Sequence, residues 1–360
     1  PILKCFSFKK ASVVFTLLKE TGDEETPNWP QNLKPIYLKN YSHTSLLLDF
    51  IKRDIAPAPS IVQSQKEVGY LTSFLLKYYF SINNIQLQTL KNEKEIFFLG
   101  ENGDGKTILL QAIILALKGN QNPGFLADYL KNNKSSNLEL TAADSEGASY
   151  SFKADELDSE KSHPNVFAYG VSRFRNDSDK KDKYGYGTLF SPDEYLENPV
   201  MWLKHLDHKE ARGENGTISL KTAKTILQSI LEENVTIEVS PDEVVFIERG
   251  TALQFDQLSD GYKSVLVWVC DLIKRLSDNQ PGVQQTADFH GIVLVDEIGV
   301  YLHPKWQFKI VRQLRKWFPQ IQFIFTTHSP IVVMGASEDA VFYKVYKENG
   351  ETKVLSLIHI

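Results

Sequence analysis

The sequence predicts an α/β fold, a mainly parallel sheet flanked by helices with an antiparallel β part, and three observations carry that expectation. First, the last third alternates helix and buried strand: residues 259–276 read as helix, 292–295 as strand, 305–318 as helix and 322–325 as strand. Short apolar runs set between helices are what strands covered on both faces look like. Second, the apolar run Glu95-Ile96-Phe97-Phe98-Leu99 passes through a glycine-rich loop into a helical run at 108–118, which Gly119 is placed to end. Third, alternating and aromatic residues at 74–80 and 85–90, and a hairpin pattern at 235–239 and 243–248 across Ser240-Pro241-Asp242, point to antiparallel pairing.

The remaining stretches fill in around these elements. Residues 1–67 read as an N-terminal extension of unknown role, with a polar, proline-bearing stretch at 21–35, a short helix near 45–53 and the breaker run Ala56-Pro57-Ala58-Pro59-Ser60. The main domain runs over 68–360, with a polar, partly helical insertion at about 120–220. Within it, the loops at 132–136 and 176–183 are expected to be exposed and mobile. Residues 222–233 read as a helix, and Trp306, Ile310, Leu314 and Trp317 recur at the spacing of a helix packing face. The sequence holds no internal repeat and no sustained heptads.

Bulk composition narrows the function classes. The 360 residues are 42% hydrophobic and 24% charged, close to globular averages, and the longest apolar runs are far too short to span a bilayer. A net charge of −5 argues against coating nucleic acid through charge alone, so nucleic acid is permitted rather than indicated. The start, Pro1-Ile2-Leu3-Lys4-Cys5, has neither an initiator Met nor signal-peptide architecture, so the chain is expected to begin inside the encoded one, with the cytoplasm as default. Two cysteines, Cys5 and Cys270, make no disulfide framework, and Cys270 reads as a small core residue. His205 and His208 have no third ligand in view and read as a solvated helical face.

Four motifs carry chemistry. Gly100-Glu101-Asn102-Gly103-Asp104-Gly105-Lys106-Thr107 fits the phosphate-binding pattern, in which glycines let backbone N–H groups curl around phosphates, Lys106 reaches the β and γ phosphates of ATP, and Thr107 ligates Mg²⁺. Gly291-Ile292-Val293-Leu294-Val295-Asp296-Glu297 supplies the acidic partner at the end of another buried strand: Asp296 for the Mg²⁺ shell and Glu297 to polarise the attacking water. Phe323-Ile324-Phe325-Thr326-Thr327-His328-Ser329-Pro330 repeats the layout and sets His328 near the γ-phosphate edge. Leu258-Ser259-Asp260-Gly261-Tyr262-Lys263-Ser264 opens a helix with an anion-binding end, Ser259 and the N–H groups of the first turn, that has no phosphate of its own.

Together the four motifs resemble P-loop NTPases of the ABC-ATPase type, more closely the heads of the RecF and structural-maintenance-of-chromosomes branch than transporter subunits. The loop matches the family's form, including Asn102; Asp296-Glu297 matches its Walker B with catalytic glutamate; and His328 matches its switch histidine. The resemblance implies that Ser259, Asp260 and Gly261 act in trans on the γ-phosphate held by a second copy, making a homodimer or higher oligomer. Tyr301-Leu302-His303-Pro304-Lys305-Trp306-Gln307, Phe318-Pro319-Gln320-Ile321-Gln322-Phe323 and Ala168-Tyr169-Gly170 with Arg173 are similar to a narrower group, stand-alone bacterial ATPases like those of Septu-type and retron-associated antiphage systems.

Three departures from the family pattern stand out. No glutamine occurs between Gln121 and Gln228, which leaves the Tyr169 to Arg173 segment as the candidate for the place of the family's loop glutamine. Asp260 replaces the signature's first glycine and must turn to solvent, cap the helix or approach metal; Gly299 stands where related chains carry an acid. The resemblance implies a nucleotide switch in antiphage defence that gates a separate effector such as a nuclease, since no nuclease motif is visible in this chain. The alternatives are a RecF-like DNA-repair ATPase and the ATPase subunit of a transporter, the latter disfavoured by the extension.

Overall fold

The computed structural model describes residues 69–88, 90, 93–118, 138–153, 161–173, 180–214, 218–231, 235–283 and 285–357. The expected extension with its short helix, Cys5, Gly119, the loop at 132–136 and residues 176–179 lie outside the described residues. In chain order, β1 (Leu71–Tyr79), β2 (Ile82–Leu87) and β3 (Glu95–Leu99) precede helix α1 (Lys106–Lys118). The middle carries β4 (Glu139–Asp144), β5 (Ser149–Lys153), β6 (Val166–Tyr169), and the short strands β7 (Lys180–Lys181) and β8 (Glu194–Tyr195) around a helical turn, α2 (Gly187–Phe190). Helices α3 (Pro199–Ala211) and α4 (Leu220–Leu231) follow, then β9 (Val235–Val239), β10 (Val244–Glu248) and β11 (Thr251–Leu253). The last part is α5 (Asp260–Asn279), β12 (Gly291–Val295), α6 (Pro304–Trp317), β13 (Ile321–Thr327), the short α7 (Pro330–Met334), β14 (Val341–Glu348) and β15 (Glu351–Ser356).

The central sheet has the order β15-β14-β3-β13-β12-β6, and every neighbour pair from β14 to β6 is parallel. Register sets Thr327 beside Leu99 and Val295 beside both Phe325 and Tyr169. The loops leaving β3, β13 and β12 therefore emerge side by side at one edge, which is where the site forms.

Period-two alternation splits the strands between two cores. Ile96, Phe98, Ile292, Leu294 and Ile324 pack with α1 and the antiparallel sheet β2-β1-β4-β5. Phe97, Val293, Val295, Phe323 and Phe325 pack with α3, α4, α5 and α6 and with the antiparallel sheet β11-β10-β9. Helix α1 is buried almost all round because it lies between two sheets, which is why its sequence is apolar on every side. Buried Gln322 on β13 ties the sheets together: its amide donates to the carbonyls of Leu71 (3.1 Å) and Glu93 (2.9 Å) and accepts the Leu71 N–H (2.8 Å).

Most expected elements are present with small shifts of boundary. The hairpin at 235–248 gains a third strand across the two-residue turn Arg249-Gly250. Cys270, Trp306, Ile310 and Leu314 are buried, while Trp317 is partly buried and donates its ring N–H to Ser229. His205 and His208 are both exposed on α3. The loop expected to be exposed at Lys180–Lys183 is so only in part: Lys180 and Lys181 are exposed, but Asp182 is buried. Its carboxylate accepts the N–H groups of Tyr184 (2.9 Å), Gly185 (2.8 Å) and Gly187 (3.0 Å), which satisfy the charge inside the fold. No helix among the described residues is long and apolar enough to cross a membrane.

Candidate active site

The loop from β3 to α1 is held open by backbone conformations that suit glycine and braced from behind by β15. Gly105 has φ of 101°, and a Cβ there would lie 2.8 Å from Thr352 Oγ1. Buried Thr352 donates its hydroxyl to the Asp104 carbonyl (3.0 Å) and its N–H to the Ser81 carbonyl (2.7 Å). The Asp104 carboxylate turns back to accept the Glu101 N–H at 2.7 Å, while Asn102 and Gly103 stay exposed at the apex. Lys106 is buried at the first position of α1 and donates to the carbonyls of Gly100 (3.0 Å) and Glu101 (2.9 Å). Its ammonium also lies 3.0 Å from Glu297 Oε1.

Asp296 follows β12, and both of its oxygens take hydroxyl hydrogen bonds: Thr107 donates to Oδ2 at 2.7 Å and Thr326 to Oδ1 at 2.5 Å. Burial pushes the Asp296 carboxyl above the usual range, and the bonds from Thr326 and Thr107 pull it back. Thr107 and Asp296 bring two hard oxygen donors together beside the phosphate loop, a donor set that fits Mg²⁺, which takes one or two protein oxygens and completes its shell with phosphate and water.

Glu297 has φ of 46°, in the left-handed region where a side chain is strained. The surroundings hold it there: its N–H donates to Thr326 Oγ1 (2.7 Å), Oε1 faces Lys106, and Oε2 lies 2.9 Å from His328 Nδ1. His328 itself is half exposed at the sheet edge. Lys106, Thr107, Asp296, Glu297 and His328 thus form one bonded group contributed by the ends of three adjacent strands.

Ser259, Asp260 and Gly261 sit elsewhere. Ser259 is the N-cap of α5, accepting the Tyr262 N–H at 3.4 Å, and both Ser259 and Asp260 are exposed. The Asp260 side chain faces solvent, 67% exposed and 3.9 Å from the Lys263 ammonium. Gly261 packs beneath the loop that follows β12, where a Cβ would lie 2.8 Å from the Tyr301 carbonyl. Among the described residues no hydrogen bond or ion pair joins this helix start to the Lys106 group.

Gly299 has a packing reason: a Cβ would meet the Val332 side chain at 2.8 Å, so a larger residue there needs Val332 to shift. The loop it belongs to is fixed by Gln307, which donates to the carbonyls of Gly299 and Leu302 (both 3.0 Å) and accepts the Ser329 hydroxyl (2.6 Å). Thr326, Gln307 and Thr352 were not singled out by the sequence. Thr326 and Gln307 lie inside quoted motifs, but only the register of β13 and β12 gives them tasks.

Residues 224–334 match the family model described as "AAA domain, putative AbiEii toxin, Type IV TA system". The chain is 27% identical over 299 residues to the Septu protein PtuA of Bacillus mycoides (strain KBAB4), covering 76% of this chain and 40% of that protein. It is 36% identical over 122 residues to the "Retron Vc95 probable ATPase" of Vibrio cholerae serotype O1 biovar El Tor, covering 34% of this chain and 23% of that protein. The chain is similar to the Septu protein PtuA and to retron ATPases. It spans less than half the length of these curated relatives. Among solved structures, an SMC head bound to the C-winged helix domain of ScpA aligns with a TM-score of 0.49 at 15% identity, covering 80% of this chain and 97% of that one.

Proposed function

We propose that this chain binds ATP with Mg²⁺ and hydrolyses it, and that ATP pairs two copies into a switch for a separate effector, such as a nuclease, in bacterial antiphage defence. The observation that carries the reading is the bonded group of Lys106, Thr107, Asp296, Glu297 and His328 at three neighbouring strand ends, where sheets of this kind bind ligands. The domain responsible is 68–360, with 1–67 as a separate extension.

In this reading the backbone of Gly100, Asn102, Gly103, Asp104 and Gly105 wraps the phosphates, with the start of α1 directing its dipole at them. Lys106 binds the β and γ phosphates, and Thr107 and Asp296 hold the metal. Mg²⁺ bound by them would supply positive charge beside the phosphoryl oxygens. Glu297 takes the proton from the attacking water, and His328 orients its carboxylate from the open side. Ser259 and Gly261 of a second copy complete the γ-phosphate site; the support is the exposed N-cap Ser259 at the start of α5. The similarity to Septu and retron proteins supports the defence context.

The test combines phosphate release with sedimentation of the wild type, Lys106→Ala and Glu297→Gln, with and without ATP. ATP-dependent pairing with turnover that needs both residues supports the proposal. Wild-type turnover in Lys106→Ala sinks it, and ATP-dependent capture of DNA on a filter would move the reading to a repair ATPase.

A further inference from the structure

Arg173 follows β6, is only 1% exposed, and has no task in the mechanism above. Its guanidinium is spent on main-chain carbonyls: Nη1 donates to Gly170 (3.0 Å) and Asp296 (2.9 Å), and Nη2 to Glu297 (3.5 Å). A guanidinium keeps its charge at neutral pH. A buried cation is costly unless oxygens around it take up the charge. Here two of the three oxygens, the carbonyls of Asp296 and Glu297, belong to the turn after β12, and that turn contains Glu297 at φ of 46°.

A left-handed glutamate persists only where its neighbours fix it. Two groups do so along the main chain. Thr326 receives the Glu297 N–H, and Arg173 donates to the Asp296 and Glu297 carbonyls, which flank the Glu297 Cα. The segment carrying Arg173 is itself registered to the turn, since the Asp296 N–H donates to the Tyr169 carbonyl at 2.8 Å.

We propose that Arg173 is a positioning residue for hydrolysis, clamping the Asp296–Glu297 turn so that the Glu297 carboxylate is aimed at the phosphate edge. This rests on the reading of Glu297 as the base.

The test uses Arg173→Met and Arg173→Lys, each alone and combined with Glu297→Gln. Single-turnover hydrolysis, affinity for a fluorescent ATP analogue and thermal melting are read for each. Arg173→Met should slow hydrolysis about 10²-fold while affinity moves less than about threefold. Arg173→Lys should recover part of the rate, because an ammonium keeps the charge but not the planar fork. In the Glu297→Gln background neither change should slow hydrolysis further, because the group being positioned is gone. Equal slowing in both backgrounds, unchanged turnover of Arg173→Met, or affinity falling in step with rate overturns the proposal. Glu297→Gln turning over like the wild type would instead remove the reading of Glu297 itself. Should Arg173→Met fail to fold, Arg173→Lys with and without Glu297→Gln decides by the same comparison.

Discussion

The Lys106 ammonium lies 3.0 Å from Glu297 Oε1, with both side chains largely withdrawn from water. The cation assigned to the phosphates and the carboxylate assigned to the attacking water are therefore in contact with each other. An arriving triphosphate competes with one anion for a buried cation, and what it gains is reduced by the pair it breaks.

Glu297→Gln should consequently act in two directions. Hydrolysis should fall about 10²- to 10⁴-fold with the base removed. Affinity for ATP should rise by about tenfold, because Lys106 no longer has a carboxylate to give up. Calorimetric titration beside single-turnover kinetics measures both, and weaker ATP binding by the variant would contradict the competition.

Ser259→Arg tests the assignment in trans. Ser259 is exposed and caps α5 without touching the Lys106 group, so a large side chain there should leave ATP affinity of one copy within about twofold of wild type. Pairing in ATP should be lost, because the guanidinium occupies the surface that must approach the second copy. Sedimentation velocity with Mg²⁺ and ATP reads the outcome, and an undiminished dimer would refute the arrangement.

The residues expected to carry chemistry were legible because each motif is contiguous: a phosphate loop must run from a strand into a helix, and an acidic pair must follow a buried run. The residues that support them were not. Thr352 braces the loop only because β15 runs behind it, and Gln322 joins two sheets whose pairing no local pattern sets. Strands β4 and β5 were hidden in the polar middle because Ala142, Ala143, Ser149 and Ser151 dilute the alternation, although Leu140, Tyr150 and Phe152 face the core. Asp182 reads in the sequence as one more charge in an exposed loop of mixed sign, and its burial depends on three N–H groups turned inward by the chain after it.

Two buried groups should give opposite pH dependences of stability. Burial draws His163 down to about 4, so between its ordinary 6.5 and 4 the unfolded chain binds more protons and stability falls with falling pH. The loss between pH 7 and pH 5 is about 2 kcal/mol. Burial, and then Asp182, pushes Glu194 up to about 7, so its contribution is full at low pH and is lost as pH rises from 4.5 through 7. In the wild type the two oppose each other. Relative to the wild type, the denaturation midpoint over pH 5 to 7 should slope more steeply upward with pH in Glu194→Gln and more steeply downward in His163→Gln, and slopes equal to the wild type in both would refute the assignment.

Thr352→Val isolates the brace behind the phosphate loop. Valine keeps the β-branched shape, so packing is retained, but the hydroxyl that donates to the Asp104 carbonyl and meets Ser81 Oγ at 2.8 Å is removed. Leaving those partners unsatisfied in a largely buried setting should lower stability by about 1–3 kcal/mol. The loop should also lose part of its preorganisation, weakening ATP binding severalfold while the rate of bound ATP changes little, since Glu297 is held by Thr326 and Arg173 and not by β15. Thr352→Ser, which restores the donor, should return affinity toward wild type. Urea titration and calorimetry measure the two effects, and a Thr352→Val protein with wild-type affinity would mean that the loop keeps its shape without the strand behind it.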